Sequence, residues 1–230
     1  MNSNATGPKR IFLVDDHPMV RERLAQLFEQ TTDLQVCGEA DDVSGAVDAI
    51  GRVAPDIVII DLSLRNSNGL ELIKDIKARG WKFPLLVLSM HDEAMYAERV
   101  LRAGAAGYIS KQEGSQEILR AIRKVLDGKI YLNAEVAAGV LHRIVGSAGQ
   151  DKRNPVESLA DRELEVFQLI GNGHSTRRIA EMLGLSVKTV ESYRARIKEK
   201  LALDDGVQLL QRAVQWVEHS NFKRGDDDDR

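Results

Sequence analysis

The sequence predicts an α/β domain with a doubly wound, five-stranded parallel sheet, followed by an all-α helix-turn-helix domain. Its 230 residues suit two modest domains better than one small core. In the first 127 residues, short apolar runs alternate with amphipathic stretches, which is typical of a parallel sheet covered on both faces. Beyond residue 159, four helical patterns follow one another closely.

The composition is that of an ordinary globular protein, with 43% hydrophobic and 29% charged residues. No apolar run approaches the ~20 residues that span a bilayer, and the first ten residues, MNSNATGPKR, carry no secretion signal. Cys37 is the single cysteine, so we expect no internal disulfide and a small buried hydrophobe at this position. These features predict a cytoplasmic protein with no membrane contact.

Five strand-length segments define the predicted sheet: IFLV (11–14), LQVCGEA (34–40), DIVIID (56–61), PLLVLS (84–89) and GYISK (107–111). An amphipathic stretch follows each of them, as expected for five βα units. In doubly wound folds, functional groups gather at the carboxyl ends of the strands.

Nearly every predicted strand ends in a polar residue: Asp15 and Asp16, then Asp61, Ser89 and Lys111. Three carboxylates at one edge would repel one another unless a cation shares the site. Carboxylate oxygens are the ligands that Mg²⁺ prefers, and one ammonium nearby balances the remaining charge. The alternative is that each residue only caps the helix after its strand, which explains one position more easily than five.

Residues 9–127 resemble the receiver domain of two-component response regulators, a fold of the flavodoxin-like type. The matching elements are VDDH, the lone Asp61 in IIDLSL, LSMHD and GAAGYISK. The resemblance implies that Asp61 accepts a phosphoryl group from a sensor histidine kinase. It also implies that Asp16, Asp61 and the backbone carbonyl of Ser63 bind Mg²⁺ directly, whereas Asp15 acts mainly through water.

Phosphoryl transfer needs an in-line nucleophile and neutralisation of charge on the equatorial oxygens. Asp61 supplies the nucleophile, and Mg²⁺ with Lys111 supplies the positive charge. Ser89 is expected to donate to the phosphoryl group, and Tyr108 to follow the resulting loop movement. Taken alone, Tyr108 is better explained as a half-buried strand aromatic, but the accompanying Ser89 and Lys111 favour the switch. The domain would catalyse only its own phosphorylation and dephosphorylation, so we do not expect an enzyme.

The sequence departs from the receiver pattern in two places. Gln112 follows the strand 5 lysine where many receivers have proline, so we expect a trans peptide bond there. The segment LSLRNSNGL lacks a Met-Pro pair, although Asn68-Gly69 keeps a turn before the next helix. Ser63 and His91 are expected to flank the attacking water and to tune the lifetime of the phosphorylated state.

Residues 128–154 form the predicted linker, which includes a short helix, AEVAAGVLHRIV (134–145), and most of the flexible sequence GSAGQDKRNPVES (146–158). The second predicted domain covers 155–222. An acidic tail, 223–230, contains Asp226–Asp229 and is expected to be solvated and disordered.

Two helical patterns, TRRIAEMLG and VKTVESYRARIKEKL, are joined by a short turn as in a helix-turn-helix. The window from Arg177 to Lys200 carries seven Lys or Arg and three acids, a net charge of +4, which fits insertion of the second helix into the major groove. Ser186 is expected to cap that helix. Its core-facing positions are predicted to be Val190, Ile197 and Leu201.

From about Leu159 to the end of the fourth predicted helix, the sequence resembles the LuxR-type DNA-binding domain of the NarL/FixJ subfamily through LxxRE, the IAxxL core and TVxxxxxxIxxKL. The resemblance implies that Glu191, Ser192 and Ala195 face base edges. The remaining implied DNA contacts, mostly to phosphates, are Lys188, Thr189, Arg194, Arg196 and Lys198.

Here too the sequence departs from its relatives. Glu191 either accepts from a cytosine amino group or pairs with Arg194 or Lys198 on the helix surface. Ala160 replaces the usual Ser or Thr cap, so Asp161 is expected to cap one residue later.

The last helix carries a stripe of Val207, Leu210, Val214 and Val217, part of which must cover the domain's own core. In the LuxR-type family this helix also forms the dimer interface on DNA, so the resemblance assigns Val207, Leu210 and Val214 to a homodimer. In the receiver, either the face of the fourth helix, fifth strand and fifth helix or the face of the first and fifth helices is a candidate dimer interface.

The preferred hypothesis is a transcription regulator that binds double-stranded promoter DNA as a dimer after phosphorylation of Asp61. The rival from the enzyme class is a Mg²⁺-dependent phosphatase with an aspartyl nucleophile, which would more often carry a D-x-D pair on the first strand. A third hypothesis is a receiver that acts constitutively through protein contacts.

Overall fold

The computed structural model describes residues 7–64, 67–90, 93–146 and 155–225. The chain divides into two compact units, Met1–Ala148 and Gly149–Arg230. The predicted flexible linker sequence and the tail residues Asp226–Asp229 fall largely or wholly outside the described residues. Among the described helices, none combines the length and the apolar character needed to cross a bilayer.

The first unit alternates strands and helices. Its strands are β1 (Lys9–Val14), β2 (Leu34–Ala40), β3 (Ile57–Ile60), β4 (Ser63–Leu64), β5 (Ser67–Asn68), β6 (Leu85–Ser89) and β7 (Gly107–Ser110). Its helices are α1 (Pro18–Glu29), α2 (Val43–Val53), α3 (Gly69–Ala78), α4 (Glu93–Ala103), α5 (Ser115–Leu126) and α6 (Ala134–Gly146).

Five strands form one parallel sheet in the order β2-β1-β3-β6-β7. This is a doubly wound sheet whose order reverses between β1 and β3. The predicted fold class is confirmed, and all five predicted strands are present. The small antiparallel pair β4-β5 was not predicted, because each strand is only two residues long.

Burial explains why these segments form central strands. Residues Ile11–Val14, all of β3 and all of β6 are buried, as expected for strands covered by helices on both faces. The helices bury one stripe each, as in α5, where the buried residues are Ile118, Leu119, Ala121, Ile122 and Val125. The predicted trans bond before Gln112 is confirmed, since the described residues contain no cis peptide bond.

The second unit contains a short 3₁₀ helix (Pro155–Ser158) and four α-helices: α7 (Asp161–Gly171), α8 (Thr176–Leu183), α9 (Val187–Lys200) and α10 (Gly206–Gly225). α8 and α9 form the predicted helix-turn-helix. Gly184 adopts a left-handed conformation (φ 62°) that ends α8, and the Ser186 hydroxyl accepts from the Thr189 N–H at 3.0 Å, which confirms the predicted cap.

Two expectations for this unit need correction or refinement. Asp161 does not cap α7, because it is already the first helical residue; instead the Glu163 carboxylate accepts from the Ala160 N–H at 2.8 Å. In α9, Val190 and Ile197 are buried as predicted, but Leu201 is only half-buried.

Two fully buried positions of α10 were not predicted. Leu209 and Ala213 are fully buried there, and the Trp216 ring packs against Phe167 with centroids 5.5 Å apart. Part of the stripe chosen from the sequence covers the core as predicted, since Val217 lies against Gly171 of α7, whereas Val207 and Leu210 lie on an exposed neighbouring face.

Candidate functional site

The register of the sheet brings three charged side chains together at its carboxyl edge. Val14 pairs with Ile60, so Asp15 and Asp61 follow neighbouring strand ends, and β7 is followed by Lys111. Lys111 Nζ lies 2.6 Å from Asp15 Oδ2 and 2.6 Å from Asp61 Oδ2. Asp15 and Asp61 are only 4% and 3% exposed, so this ammonium is a counter-charge for two buried carboxylates.

Asp16 and His17 complete a four-residue cluster with Asp15 and Asp61, in which one potential metal-binding atom from each residue lies within 4.8 Å of the others. His17 Nδ1 lies 2.7 Å from Asp16 Oδ1, but without hydrogen-bond geometry. The His17 backbone N–H donates to Asp15 Oδ1 at 2.9 Å. His17 was not predicted as part of the site, although its position in VDDH was a usable signal.

Two oxygens of this cluster are left with acceptor capacity. Asp16 Oδ1 and Asp61 Oδ1 are buried and accept no hydrogen bond within the described part of the chain. Buried polar atoms are normally satisfied, so a pair of unsatisfied carboxylate oxygens beside further acids fits a bound cation. The cluster is therefore compatible with a divalent metal ion.

Burial and neighbouring charges act in opposite directions on the pKa values of Asp61 and Lys111. Burial raises the pKa of the Asp61 carboxyl; Lys111 opposes this rise, and the charge of Asp15 adds to it. Burial lowers the pKa of Lys111, but Asp61 and Asp15 outweigh burial and raise it above the ordinary value. Lys111 therefore stays protonated at neutral pH.

Ser89 and Tyr108 lie beside this cluster and are both fully buried. Burial raises the pKa of Tyr108 well above its ordinary value, and a hydrogen bond with the Ser89 side chain opposes that rise. The Ser89 side chain also lowers the pKa of Asp61. Tyr108 is thus more deeply buried than the half-buried strand aromatic that its sequence position alone suggests.

The turn after Asp61 is held by the β4-β5 pair, in which half-buried Ser63 lies opposite Asn68. The Asn68 side chain caps α3 by accepting from the Leu70 N–H at 2.8 Å, as the predicted turn requires. A side chain at Gly69 would overlap the carbonyl oxygen of Asp61, so this position needs glycine. His91 lies outside the described residues.

Arg21 is a further residue at the site that sequence reasoning missed. Its Nη1 donates to the carbonyl oxygen of Asp15 at 2.5 Å, and its Nε lies 2.7 Å from Glu39 Oε2. The guanidinium thereby holds the peptide group between Asp15 and Asp16 against the end of β2. An arginine on an amphipathic helix gives no sequence signal for such a role, because its expected position is solvent.

The predicted DNA contacts lie on α9. Its exposed members are Lys188, Glu191, Ser192, Ala195 and Arg196, and its partly buried members are Thr189, Arg194 and Lys198. Arg194 Nε lies 3.7 Å from Glu191 Oε2, which favours the helix-surface pair over the base contact for Glu191 in the absence of DNA. The exposed face of α9 is thus rich in groups that can donate to phosphates.

The predicted dimer residues lie on α10. Val207 and Leu210 are 63% and 45% exposed, unusually high for large apolar side chains, and Val214 is half-buried. These positions leave an apolar strip beside the buried Leu209 and Ala213.

Family models match both halves of the chain. Residues 11–123 match the response regulator receiver domain, and residues 157–213 match the bacterial regulatory proteins of the luxR family.

Curated relatives span both domains. A putative transcriptional regulator of Pseudomonas aeruginosa is 36% identical over 192 residues, which covers 84% of this chain and 90% of the relative. The response regulator UvrY of Escherichia coli is 34% identical over 204 residues, which covers 89% of this chain and 93% of UvrY.

Among solved structures, the chain is similar to RcsB from Salmonella enterica serovar Typhimurium bound to the promoter rprA in the presence of the phosphomimetic BeF₃⁻. The TM-score is 0.58 at 26% identity, with 89% of this chain and 97% of RcsB covered. The chain belongs to the NarL/FixJ family of two-component response regulators and regulates transcription in a phosphorylation-dependent manner.

Proposed function

We propose that Asp61 is the phosphoacceptor and that a sensor histidine kinase supplies the phosphoryl group. The observation that carries this assignment is the Asp61 carboxylate itself: it is buried, its Oδ2 contacts Lys111, and its Oδ1 accepts no hydrogen bond among the described residues. An oxygen with a spare lone pair in a dry site suits nucleophilic attack on phosphorus. Lys111 is placed to neutralise charge on the phosphoryl oxygens.

The metal in this proposal is Mg²⁺, since the cluster offers mainly hard oxygen ligands. When bound, it supplies positive charge opposite the developing charge on the phosphoryl group. Asp16 and Asp61 would hold the ion directly, together with the backbone carbonyl of Ser63. Asp15 already contacts Lys111 through Oδ2, so its contribution through water is smaller. Asp16→Asn is therefore expected to weaken Mg²⁺ binding more than Asp15→Asn.

The switch in this proposal is the pair Ser89 and Tyr108. The Ser89 hydroxyl, which interacts with both Asp61 and Tyr108, would donate to the phosphoryl oxygen instead and give up its contact with Tyr108. Because both side chains are fully buried, movement of one requires the other to repack. This couples the chemistry at Asp61 to the surface formed by α4 and β7.

The output of this proposal is a dimer on double-stranded promoter DNA. Lys188, Arg196 and Lys198 on α9 would contact phosphates and supply affinity, whereas Ser192 and Ala195 would face bases. The exposed Val207 and Leu210 on α10, with Val214, would form the two-fold contact between copies.

The test is a fluorescence anisotropy titration with a pool of genomic fragments, with and without acetyl phosphate and Mg²⁺. Phosphorylation, confirmed by intact mass, is expected to tighten wild-type DNA binding roughly tenfold. Asp61→Asn should gain neither phosphoryl group nor affinity, and Asp48→Asn, an exposed acid on α2, should behave as wild type. Equal DNA affinity for wild type and Asp61→Asn under all conditions would instead support a constitutive receiver.

A further inference from the structure

A segment that follows α5 returns to the open edge of the sheet. The Tyr131 N–H donates to the Ala106 carbonyl at 3.0 Å, and the Tyr108 N–H donates to the Tyr131 carbonyl at 3.0 Å. Tyr131 therefore forms a parallel bridge beside Gly107 on β7. We call residues 131–140 the clamp segment. Its first residue is hydrogen-bonded to the backbone of Tyr108, which is one of the two proposed switch residues.

The side chain of Asn133 attaches the clamp segment to the start of α4. The Asn133 N–H donates to Glu93 Oε1 at 3.1 Å, and its Nδ2 donates to Glu93 Oε2 at 2.9 Å. Asn133 Oδ1 meanwhile accepts from the Val136 N–H at 2.8 Å and so caps α6. Glu93 is a buried carboxylate, 6% exposed, so these two hydrogen bonds satisfy a charge that is costly to leave unpaired.

Apolar contacts extend the same interface. Val136 and Val140 on α6 are buried, and α6 packs against α4. Tyr131 is buried as well, and its hydroxyl donates to Glu117 on α5. The clamp segment therefore covers the β7 edge and one side of α4, which belong to one of the two receiver faces expected from the sequence to form a dimer.

Both proposed switch residues, Ser89 and Tyr108, are connected to the clamp segment through few bonds or residues. Tyr108 is bonded to it directly through its backbone N–H. Ser89 ends β6 four residues before Glu93, the first residue of α4 and the partner of Asn133. If Ser89 moves toward a phosphoryl group on Asp61, either the backbone between Ser89 and Glu93 changes conformation or Glu93 moves as well.

We propose that the α4–β7 face is an interaction surface for the chain's own clamp segment, and that phosphorylation of Asp61 loosens this contact by displacing Glu93 and Tyr108 from Asn133 and Tyr131. This inference rests on the proposed function, because it takes Ser89 and Tyr108 as the residues that respond to the phosphoryl group. Loosening the clamp segment uncovers the receiver face and frees the chain that leads to the DNA-binding domain.

The test is hydrogen–deuterium exchange of the full chain, read in peptides that cover residues 131–140. In wild type, phosphorylation with acetyl phosphate and Mg²⁺ should speed exchange there roughly tenfold. Asn133→Asp should do the same without phosphorylation, because it keeps the cap of α6 but places a second carboxylate against Glu93.

A rescue variant separates the Glu93–Asn133 contact from a general loss of folding. Adding Glu93→Gln to Asn133→Asp supplies an amide donor opposite the new carboxylate and should restore slow exchange. Glu98→Gln, which makes the same chemical change on α4 at a residue paired with Arg102, should leave exchange as in wild type.

Two results would overturn the clamp. One is unchanged exchange in residues 131–140 of wild-type protein whose phosphorylation is verified by intact mass. The other is exchange in Asn133→Asp as slow as in wild type, or fast exchange that Glu93→Gln fails to reverse. If wild type takes up no phosphoryl group, the proposed function fails, and the unphosphorylated variants still decide whether Glu93 and Asn133 hold the segment.

Discussion

The two ends of β3 each carry an aspartate, and their surroundings are opposite. Asp56, at the amino end, accepts from the Arg10 N–H at 2.8 Å and lies 3.3 Å from Lys9 Nζ, with its side chain partly in water. The Arg10 N–H lowers the pKa of Asp56, whereas burial raises the pKa of Asp61 at the carboxyl end. The carboxylate form of Asp56 is therefore stabilised by folding, whereas the carboxylate form of Asp61 is destabilised by burial.

These surroundings suit Asp56 to a structural role and Asp61 to a reactive one. Each carboxylate oxygen of Asp56 has a protein partner, so the charge of Asp56 contributes to folding. Asp61 shares one lysine with Asp15 and keeps one buried oxygen without a hydrogen bond among the described residues. Active sites commonly contain such unsatisfied charges, which lower the folding stability of the protein. Four substitutions test whether the two aspartates differ in this way.

The largest effect is expected from Lys111→Met. It leaves Asp15 and Asp61 buried without their counter-charge, which should lower the free energy of unfolding of the receiver by about 3 kcal/mol. The measurement is urea unfolding followed by Trp81 fluorescence in a Trp216→Phe background. Lys9→Met, at the opposite end of the sheet, should cost less than about 1 kcal/mol, because the Lys9–Asp56 pair is exposed. Equal costs would contradict the comparison.

Gly69→Ala is expected to have the next largest effect. Its Cβ would overlap the carbonyl oxygen of Asp61, so the turn must shift, at a cost of about 1–3 kcal/mol in unfolding free energy. Phosphorylation by acetyl phosphate, followed by intact mass, should slow as well. Gly51→Ala on α2 meets only the Trp81 ring at 3.5 Å and should stabilise by up to about 1 kcal/mol through helix propensity. A neutral Gly69→Ala would show that the site tolerates backbone movement.

Asp61→Asn should stabilise the receiver by about 1 kcal/mol at neutral pH while abolishing phosphorylation. The folded-state pKa of Asp61 is raised above the ordinary 3.8, so its stabilising contribution is present in acid and is lost as the pH rises through the raised value. The advantage of Asp61→Asn should therefore shrink toward acid. Urea unfolding across a pH series measures this, and a destabilised variant would show that Asp61 is satisfied after all.

Asp56→Asn is expected to have the smallest effect, with the opposite sign. It should cost about 0.5 kcal/mol at neutral pH, because the carboxylate is partly screened by water. The folded-state pKa of Asp56 lies below the ordinary 3.8, so its contribution is present above that value and is lost as the pH falls through the folded value. The deficit should accordingly vanish in acid, and a deficit that grows there would refute the assignment.

Much of the receiver was predictable because its signals are local. Apolar runs, weakest in LQVCGEA, predicted the positions of all five strands of the sheet, and the residues that end four of them were the acids, the serine and the lysine. Parallel strands bring their carboxyl ends to one edge, so convergence of Asp15, Asp61 and Lys111 followed from topology alone. Ser186 was equally predictable as a helix cap, because capping depends on residues three apart.

The missed features depend on contacts between residues distant in sequence. Arg21, Glu93 and Asn133 are polar residues on or beside amphipathic helices, where solvent is the default expectation. On α10, the choice between adjacent apolar stripes depends on which one faces Phe167.

The family, the order of strands and helices, and the types of side chain at the candidate site could all be predicted from the sequence. Apolar periodicity and the residues at strand ends are local features of the sequence, so they can be recognised without knowing the folded structure. The folded structure was needed to establish which carboxylate oxygens lack hydrogen bonds among the described residues and which guanidinium contacts the Asp15 carbonyl. It was also needed to show that Asn133 hydrogen-bonds to Glu93, 40 residues away in the sequence. Burial and pairing depend on the final positions of side chains, and these are set by packing rather than by local pattern.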